Sequence, residues 1–488
     1  MTLPAAPTLP DELALTELPA INIDSLVDPI MAARRKSPIV IPSSAAELAT
    51  EFAERIPKQG SDLNGVLDHL QALFARYTRR NTHPGFFGYI ASGGLPTDPL
   101  AQAMVGALNQ NVVGYPSSPA AATIERMVIR WLCELTGYDE KSDGVFLGGG
   151  SAANFTAMAS ALAHRFGQDY RTRGLLQAAA GQLPVVLCSR ATHFSVQRAA
   201  AQLGIGSDQV VAVDTDEAFR MSPVSLKLAL EQNPCVVCVV ASAGTTNTGA
   251  IDPIAEVADL CEQWDVWLHV DAAYGGGALM DPELAALFDG IQRADSVTMD
   301  LHKWFFNGID SSVVLFRDPK YARSFFYESS DYVSFPPDGP PEQHMFFHLG
   351  PELSRRFRAL PAYIAFTHYG LERLGHNVRH NVECARYLAA LVAHYDDLEL
   401  VAPPQLSIIC FRYRPQIASG NLADSQVDKL NQEIRRQIET EGDFLLSPTT
   451  VHGRPVLRAC IINPATRANH IFNLVERILV IGKRLTES

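Results

Sequence analysis

The stretch VWLHVDAAYGG, residues 266–276, runs apolar, ends on an acid and then breaks into alanine and glycine. A short apolar run of this kind reads as a strand buried on both faces. Similar runs stand on either side: PVVLCS (184–189), QVVAV (209–213), CVVCVVASA (235–243), SVTMD (296–300) and SVVLF (312–316). Between them, SAANFTAMASALAHRF (151–166), SVQRAAAQLG (195–204) and DPIAEVADLCEQW (252–264) carry helical spacing. Buried strands alternating with helices predict a mostly parallel sheet covered on both faces, an α/β architecture.

The ends of the chain differ. SAAELATEFAERI and DLNGVLDHLQALFARYTRR are amphipathic and helical, so residues 1–99 are expected to form a helical N-terminal arm. The α/β domain is expected over 100–375. Residues 376–488, with LSIICFRYRP and PVLRACIIN among helices, predict a small α+β C-terminal domain.

Composition narrows the function. Of 488 residues, 47% are hydrophobic and 19% charged, as in a globular protein. Forty Lys+Arg against 53 Asp+Glu give a net charge of −13, which repels nucleic acid and anionic membranes. Arg34-Arg35-Lys36 is the one basic cluster. No apolar run is long enough to span a bilayer, and the acidic, Pro-interrupted start is unlike an export signal, so a cytoplasmic protein is expected. Eight scattered cysteines do not form a disulfide framework. Cys235 and Cys238 lie inside an apolar run and read as core. His344 with His348, and His376 with His380, have helical metal-pair spacing but lack a third ligand, so no metal site is expected; they read as loop and helix-surface histidines.

In open parallel sheets ligands bind at the carboxyl ends of strands. Gly148, Gly149 and Gly150, before Ser151, turn into a helix whose free amides would hold an anion such as phosphate, though a plain tight turn reads the same way. Asp271 needs a partner, and a protonated ring nitrogen would serve; a helix cap is the alternative. Ala273 leaves room for a flat ring, and His193 in ATHFS can stack on its other face. Lys303 sits in MDLHKWFF; apolar surroundings are expected to depress its pKa and favour an imine with a carbonyl, against the ordinary reading of a surface ammonium. Together these residues describe a pyridoxal 5′-phosphate site.

The combination of HPGFFGYI (83–90), ATHFSVQRAA (191–200), HVDAAYGG (269–276), HKW (302–304) with its lysine 32 positions beyond Asp271 (303 − 271), and LSRRFRAL (353–360) resembles the group II pyridoxal phosphate-dependent amino acid decarboxylases, near aromatic-L-amino-acid decarboxylase. The resemblance implies an aspartate aminotransferase-like large domain (PLP fold type I) and a homodimer with shared active sites. It implies Lys303 as the residue joined to the cofactor, Asp271 at the ring nitrogen, His193 and Ala273 on the ring faces, Gly150, Ser151 and His302 near the phosphate, and Thr246 near the ring substituents. It assigns Tyr89 and Ser92 to the substrate pocket, and Val113 and Tyr115 to the neighbouring subunit's site.

The implied reaction is decarboxylation of an L-amino acid, aromatic by the aromatic residues of the pocket. One position departs from the pattern. The loop tyrosine that handles the proton falls, counting back from Arg355, on Phe346. In plant relatives phenylalanine there accompanies oxygen-dependent aldehyde formation, so that route is the alternative, with Tyr327, Tyr332, His344 and His348 as other proton donors. Further alternatives are a decarboxylase of acidic amino acids, for which Arg412 or Arg458 would supply a side-chain cation, and an inactive scaffold of the same fold.

Overall fold

In the computed structural model, described for residues 30, 32–33, 36, 38–52, 55–328, 340, 344–416 and 422–487, the apolar runs form a seven-stranded sheet. Its strands are β2 (Asp143–Leu147), β3 (Val185–Ser189), β4 (Val210–Val213), β5 (Val236–Ser242), β6 (Trp267–Asp271), β7 (Ser296–Asp300) and β8 (Ser312–Phe316), and their order is β2-β8-β7-β6-β5-β3-β4. The strands from β7 to β4 are parallel, whereas β8 and β2 join antiparallel. Strands β3, β5, β6 and β7 are buried along their whole length, which is why they read as unbroken apolar runs rather than alternating ones. Strand order reverses between β3 and β5, the position at which an open α/β sheet leaves a crevice.

A second sheet is ordered β1-β11-β12-β10-β9. Strands β9 (Leu398–Leu400), β10 (Ile408–Tyr413), β11 (Leu445–Val451) and β12 (Arg454–Cys460) are antiparallel and pack under the helices Asp424–Glu441 and Ala468–Glu487. Its edge strand β1 is Phe86–Phe87, paired parallel with Leu445–Leu446. A segment expected in the N-terminal arm is therefore part of the C-terminal sheet. Two adjacent buried phenylalanines explain this, since full burial of each is worth on the order of 2 kcal/mol and requires a covered sheet.

The chain divides into two compact units, one holding residues 1–36 and 40–80, the other 37–39 and 81–488. In the first, helix Ala45–Ala49 opens with a capping box of Ser44 and Glu47, and Leu63–Tyr77 is the longer helix. In the second, both sheets are joined by Ala359–His394, which breaks at Gly370, where φ is 75° and ψ is 157°. That break lies close to the expected boundary at 375. Among the described residues no helix is long and apolar enough to cross a membrane.

The LSRRFRAL segment is fastened by Arg355, which is almost wholly enclosed. Its guanidinium pairs with buried Glu125, donates to the carbonyls of Val112 and Phe146, and lies 4.6 Å from the centre of the Phe346 ring. Removing one partner of such a pair costs about 3–5 kcal/mol, because the other charge stays buried. Tyr332, Arg34, Arg35 and most of the Pro-rich stretch 335–341 lie outside the described residues.

Candidate active site

Five strand ends, those of β2, β3, β5, β6 and β7, meet at one cleft of about 520 Å³, counting the space open to solvent. The glycine run after β2 supplies its floor. Gly150 begins the helix Gly150–Phe166, and a Cβ there would lie 2.9 Å from both carboxylate oxygens of Asp300, so glycine alone fits. Ser151 follows, exposed, in the first turn. No side chain caps this helix end, so its amides are open to an anion.

Asp271 ends β6, 9% exposed, where the register sets Ser242 of β5 beside it. Its Oδ1 accepts the backbone N–H of Ala273 at 3.1 Å, and its Oδ2 accepts from Nδ2 of Asn154 at 2.8 Å. The structure therefore answers what satisfies this acid without making it a helix cap. Gly275 in the following turn is required by close approach, since a Cβ there would meet the carbonyl oxygen of Ala243 at 2.0 Å. His193, after β3, is half-buried; the backbone N–H of Ser195 donates to its Nδ1 at 3.3 Å, so Nε2 carries the proton of the neutral ring. Burial lowers the His193 pKa, against the opposing pull of Asp271.

Lys303 corrects one expectation. Its side chain is 22% exposed and lines the cleft, but Nζ lies 2.8 Å from Oδ2 of Asp300. Burial works to lower its pKa, and Asp300 outweighs burial, so the pKa stands above that of an ordinary lysine. The amine is held by an ion pair, not freed by apolar walls. Asp300, at the end of β7, also accepts from Ser312 Oγ at 2.6 Å. His302, whose side chain is 15% exposed, bonds the backbone of Ser311 at 2.9 Å and faces Asp300 at 3.7 Å, outside hydrogen-bond reach. Thr246 is exposed at the rim.

The cleft thus brings together Gly150, Ser151, His193, Thr246, Asp271, Ala273 and Lys303. It does not include His302, Tyr89, Ser92, Val113, Tyr115 or Phe346 of the same chain. Tyr89 is half exposed and Ser92 caps the amide of Gly94 at 3.2 Å. Val113 and Tyr115 stand with Phe346 on a separate segment: Phe346 N–H donates to the Val113 carbonyl at 2.9 Å, and Tyr115 N–H to that of His344 at 3.2 Å. Phe346 is completely buried. His348 is buried too, against the ring of Tyr327, and His344 is largely enclosed, both in the loop leading to Arg355. The described residues contain no cluster of His, Cys, Asp or Glu able to hold a metal.

The two arginines also differ from expectation. Arg412 pairs with Asp428 inside the small lobe, away from the cleft. Arg458 donates to three carbonyls, of Thr246 at 2.5 Å, Asn247 at 3.1 Å and Tyr89 at 3.3 Å, and so acts as a clamp. Asn154, His269 and Asp300 were not singled out by sequence. Asp300 ends its strand just as Asp271 does, and the same rule applied to SVTMD finds it.

Residues 46–414 match the model of the pyridoxal-dependent decarboxylase conserved domain. The chain is 32% identical over 446 residues to an aromatic-L-amino-acid decarboxylase of Bacillus atrophaeus, covering 90% of each. It is 27% identical to an L-2,4-diaminobutyrate decarboxylase of Acinetobacter baumannii, over 91% of this chain and 89% of that one. The crystal structure of mouse CSAD superposes with a TM-score of 0.86 at 26% identity, covering 94% of this chain and 99% of that one.

Proposed function

Because the chain belongs to the pyridoxal-dependent decarboxylases, carboxy-lyases that use pyridoxal 5′-phosphate, we propose that it removes the α-carboxylate of an aromatic L-amino acid as carbon dioxide and releases the amine. One observation carries the reading: a single cleft presents the amine of Lys303, the carboxylate of Asp271 and an uncapped helix end.

These residues fit the cofactor by their chemistry. Pyridoxal phosphate, when bound, supplies an aldehyde and a protonated ring that accepts the electron pair of the broken bond. Gly150 and Ser151 would hold the phosphate, with His302 near it, Asp271 would meet the ring nitrogen, His193 and Ala273 the two faces, and Thr246 the ring edge. Lys303 would be the covalent anchor for the aldehyde, and Asp300, 2.8 Å from its Nζ, holds the ammonium form of that amine. Nε2 of His193 and Nζ of Lys303 are the proton-bearing ring and amine nitrogens lining the cleft among the described residues, and proton return to the α-carbon falls to them.

Among the described residues the cleft lining carries two carboxylates, Asp271 and Asp300, and one amine, already paired. That balance counts against an acidic side chain, since Arg412 and Arg458 are both engaged elsewhere. The aromatic assignment is supported by the Bacillus relative. The aldehyde route gains nothing from Phe346, which lies under Arg355 and is not presented to this cleft. With aromatic amino acids as substrates, carbon dioxide and amine are expected in equal amounts with no oxygen uptake in an oxygen electrode; aldehyde with peroxide overturns the proposal.

The working unit of the proposal is a homodimer. Tyr115 and Val113 lie off their own cleft, and Leu100, Met104 and Leu108 form an exposed apolar stripe on the helix Asp98–Leu108 just before them. Both features suit a second copy that receives these residues at its site. Met104→Asp is expected to weaken the dimer at least about tenfold, read by analytical ultracentrifugation, because it sets a charge against apolar surface.

A further inference from the structure

Asp271 and His193 are tied to one hydrogen-bonded chain that runs back into the core of the sheet, and its direction can be worked out from Asp271 outward. A carboxylate oxygen only accepts, so the atom of Asn154 lying 2.8 Å from Oδ2 of Asp271 is Nδ2. Oδ1 of Asn154 then faces Nε2 of His269 at 3.1 Å. An amide oxygen also only accepts, so Nε2 of His269 carries the hydrogen; Thr298 Oγ1, at 3.4 Å, is a weaker second acceptor. His269 is fully buried, and burial holds its pKa down to about 4, so at neutral pH the ring has that one hydrogen. Nδ1 is bare and accepts the hydroxyl of Ser296 at 2.8 Å, while Ser296 Oγ accepts the indole N–H of Trp267 at 2.9 Å.

The other Nδ2 hydrogen of Asn154 goes to Ser195 Oγ at 2.9 Å. The hydroxyl hydrogen of Ser195 is left for Nδ1 of His193, also at 2.9 Å. Each donor meets an acceptor, and reversing any one link would set two acceptors or two donors face to face.

We propose that His269, which does not reach the cleft, is a positioning residue: it fixes the Asn154 amide, and through that amide the carboxylate of Asp271 and, by way of Ser195, the tautomer of His193. Without Nε2–H, the amide has no reason to keep its oxygen away from Asp271. If it turns over, an oxygen faces the carboxylate and Ser195 loses its donor. A side chain buried in the sheet thereby decides the state of two groups at the cofactor, and it does so without a titrating group of its own in the neutral range. The inference rests on the proposed role of Asp271.

The test uses cofactor-stripped protein titrated with pyridoxal phosphate, and full turnover with the amino acid. His269→Phe is expected to weaken cofactor binding tenfold or more and to lower kcat with KM for the amino acid within about threefold. His269→Gln, whose amide can accept from Ser296 and donate to Asn154, is expected to restore binding to within about threefold. Native-like binding by His269→Phe, or no rescue by glutamine, overturns the proposal. Should the phenylalanine variant not fold, Ser296→Ala frees His269 to take the other tautomer; weakened binding supports the chain and unchanged binding overturns it. Asp271→Asn runs alongside. If it loses binding while His269→Phe keeps it, the relay fails and the role of Asp271 stands. If neither loses binding, the reading of the site itself fails.

Discussion

Lys303→Ala is expected to lower carbon dioxide release at least about a thousandfold, since the proposed reaction makes this residue the covalent anchor on which a barrier reduction of many kcal/mol depends. The variant should still fold. Lys303 is 22% exposed and its loss removes one ion pair, leaving Asp300 with the hydroxyl of Ser312 at 2.6 Å. Borohydride reduction of the loaded protein, followed by peptide mass spectrometry, should find the cofactor on the Lys303 peptide of the parent and on no peptide of the variant. A variant that keeps more than a hundredth of the parent rate would mean that another amine performs the anchoring. Lys303→Arg tests the same point without losing charge: it keeps the pair with Asp300 but cannot act as a nucleophile at neutral pH, so it should be as inactive as alanine.

Asp271→Asn carries the second largest effect. The amide keeps the shape that accepts from Ala273 and contacts Asn154, but its nitrogen would face the Nδ2 of Asn154 or its oxygen would offer no charge to a protonated ring. Removing one such electrostatic group costs roughly 10²–10³-fold in kcat. Because Asp271, at the end of β6, is proposed to act on the ring nitrogen and not on the substrate side chain, KM for the amino acid should change little. A split of this kind, read from steady-state kinetics at saturating cofactor, separates the loss of an electron sink from general damage to the pocket. An equal rise in KM with kcat intact would remove Asp271 from the proposed role.

The sheet was legible because burial on both faces writes itself into composition: CVVCVVASA admits no polar residue until Ser242 ends its strand, and VWLHVD admits only His269 before its terminal acid. The same rule located Asp271, Lys303 and the glycine turn, as residues at strand ends have no reason to be apolar. Three things were hidden. Phe86–Phe87 is too short for periodicity, and its partner Leu445–Leu446 lies hundreds of residues away, so its sheet could not be guessed locally. Lys303 was expected in an apolar wall because Trp304, Phe305 and Phe306 follow it, yet those rings point into the core and the amine turns toward Asp300. Phe346 aligned with a catalytic position by counting, but a residue count carries no direction, and Arg355 draws that side chain inward.

The pairing of β1 with β11 has a consequence for how the protein is made. Phe86 leaves the ribosome long before Leu445, its partner 359 residues later (445 − 86), and at ordinary rates of synthesis the interval is on the order of half a minute. During that time two neighbouring aromatic side chains wait with an unpaired backbone beside them. A nascent chain paused before residue 445 is therefore the form that chaperones should hold most firmly, and the form that clumps when they are scarce.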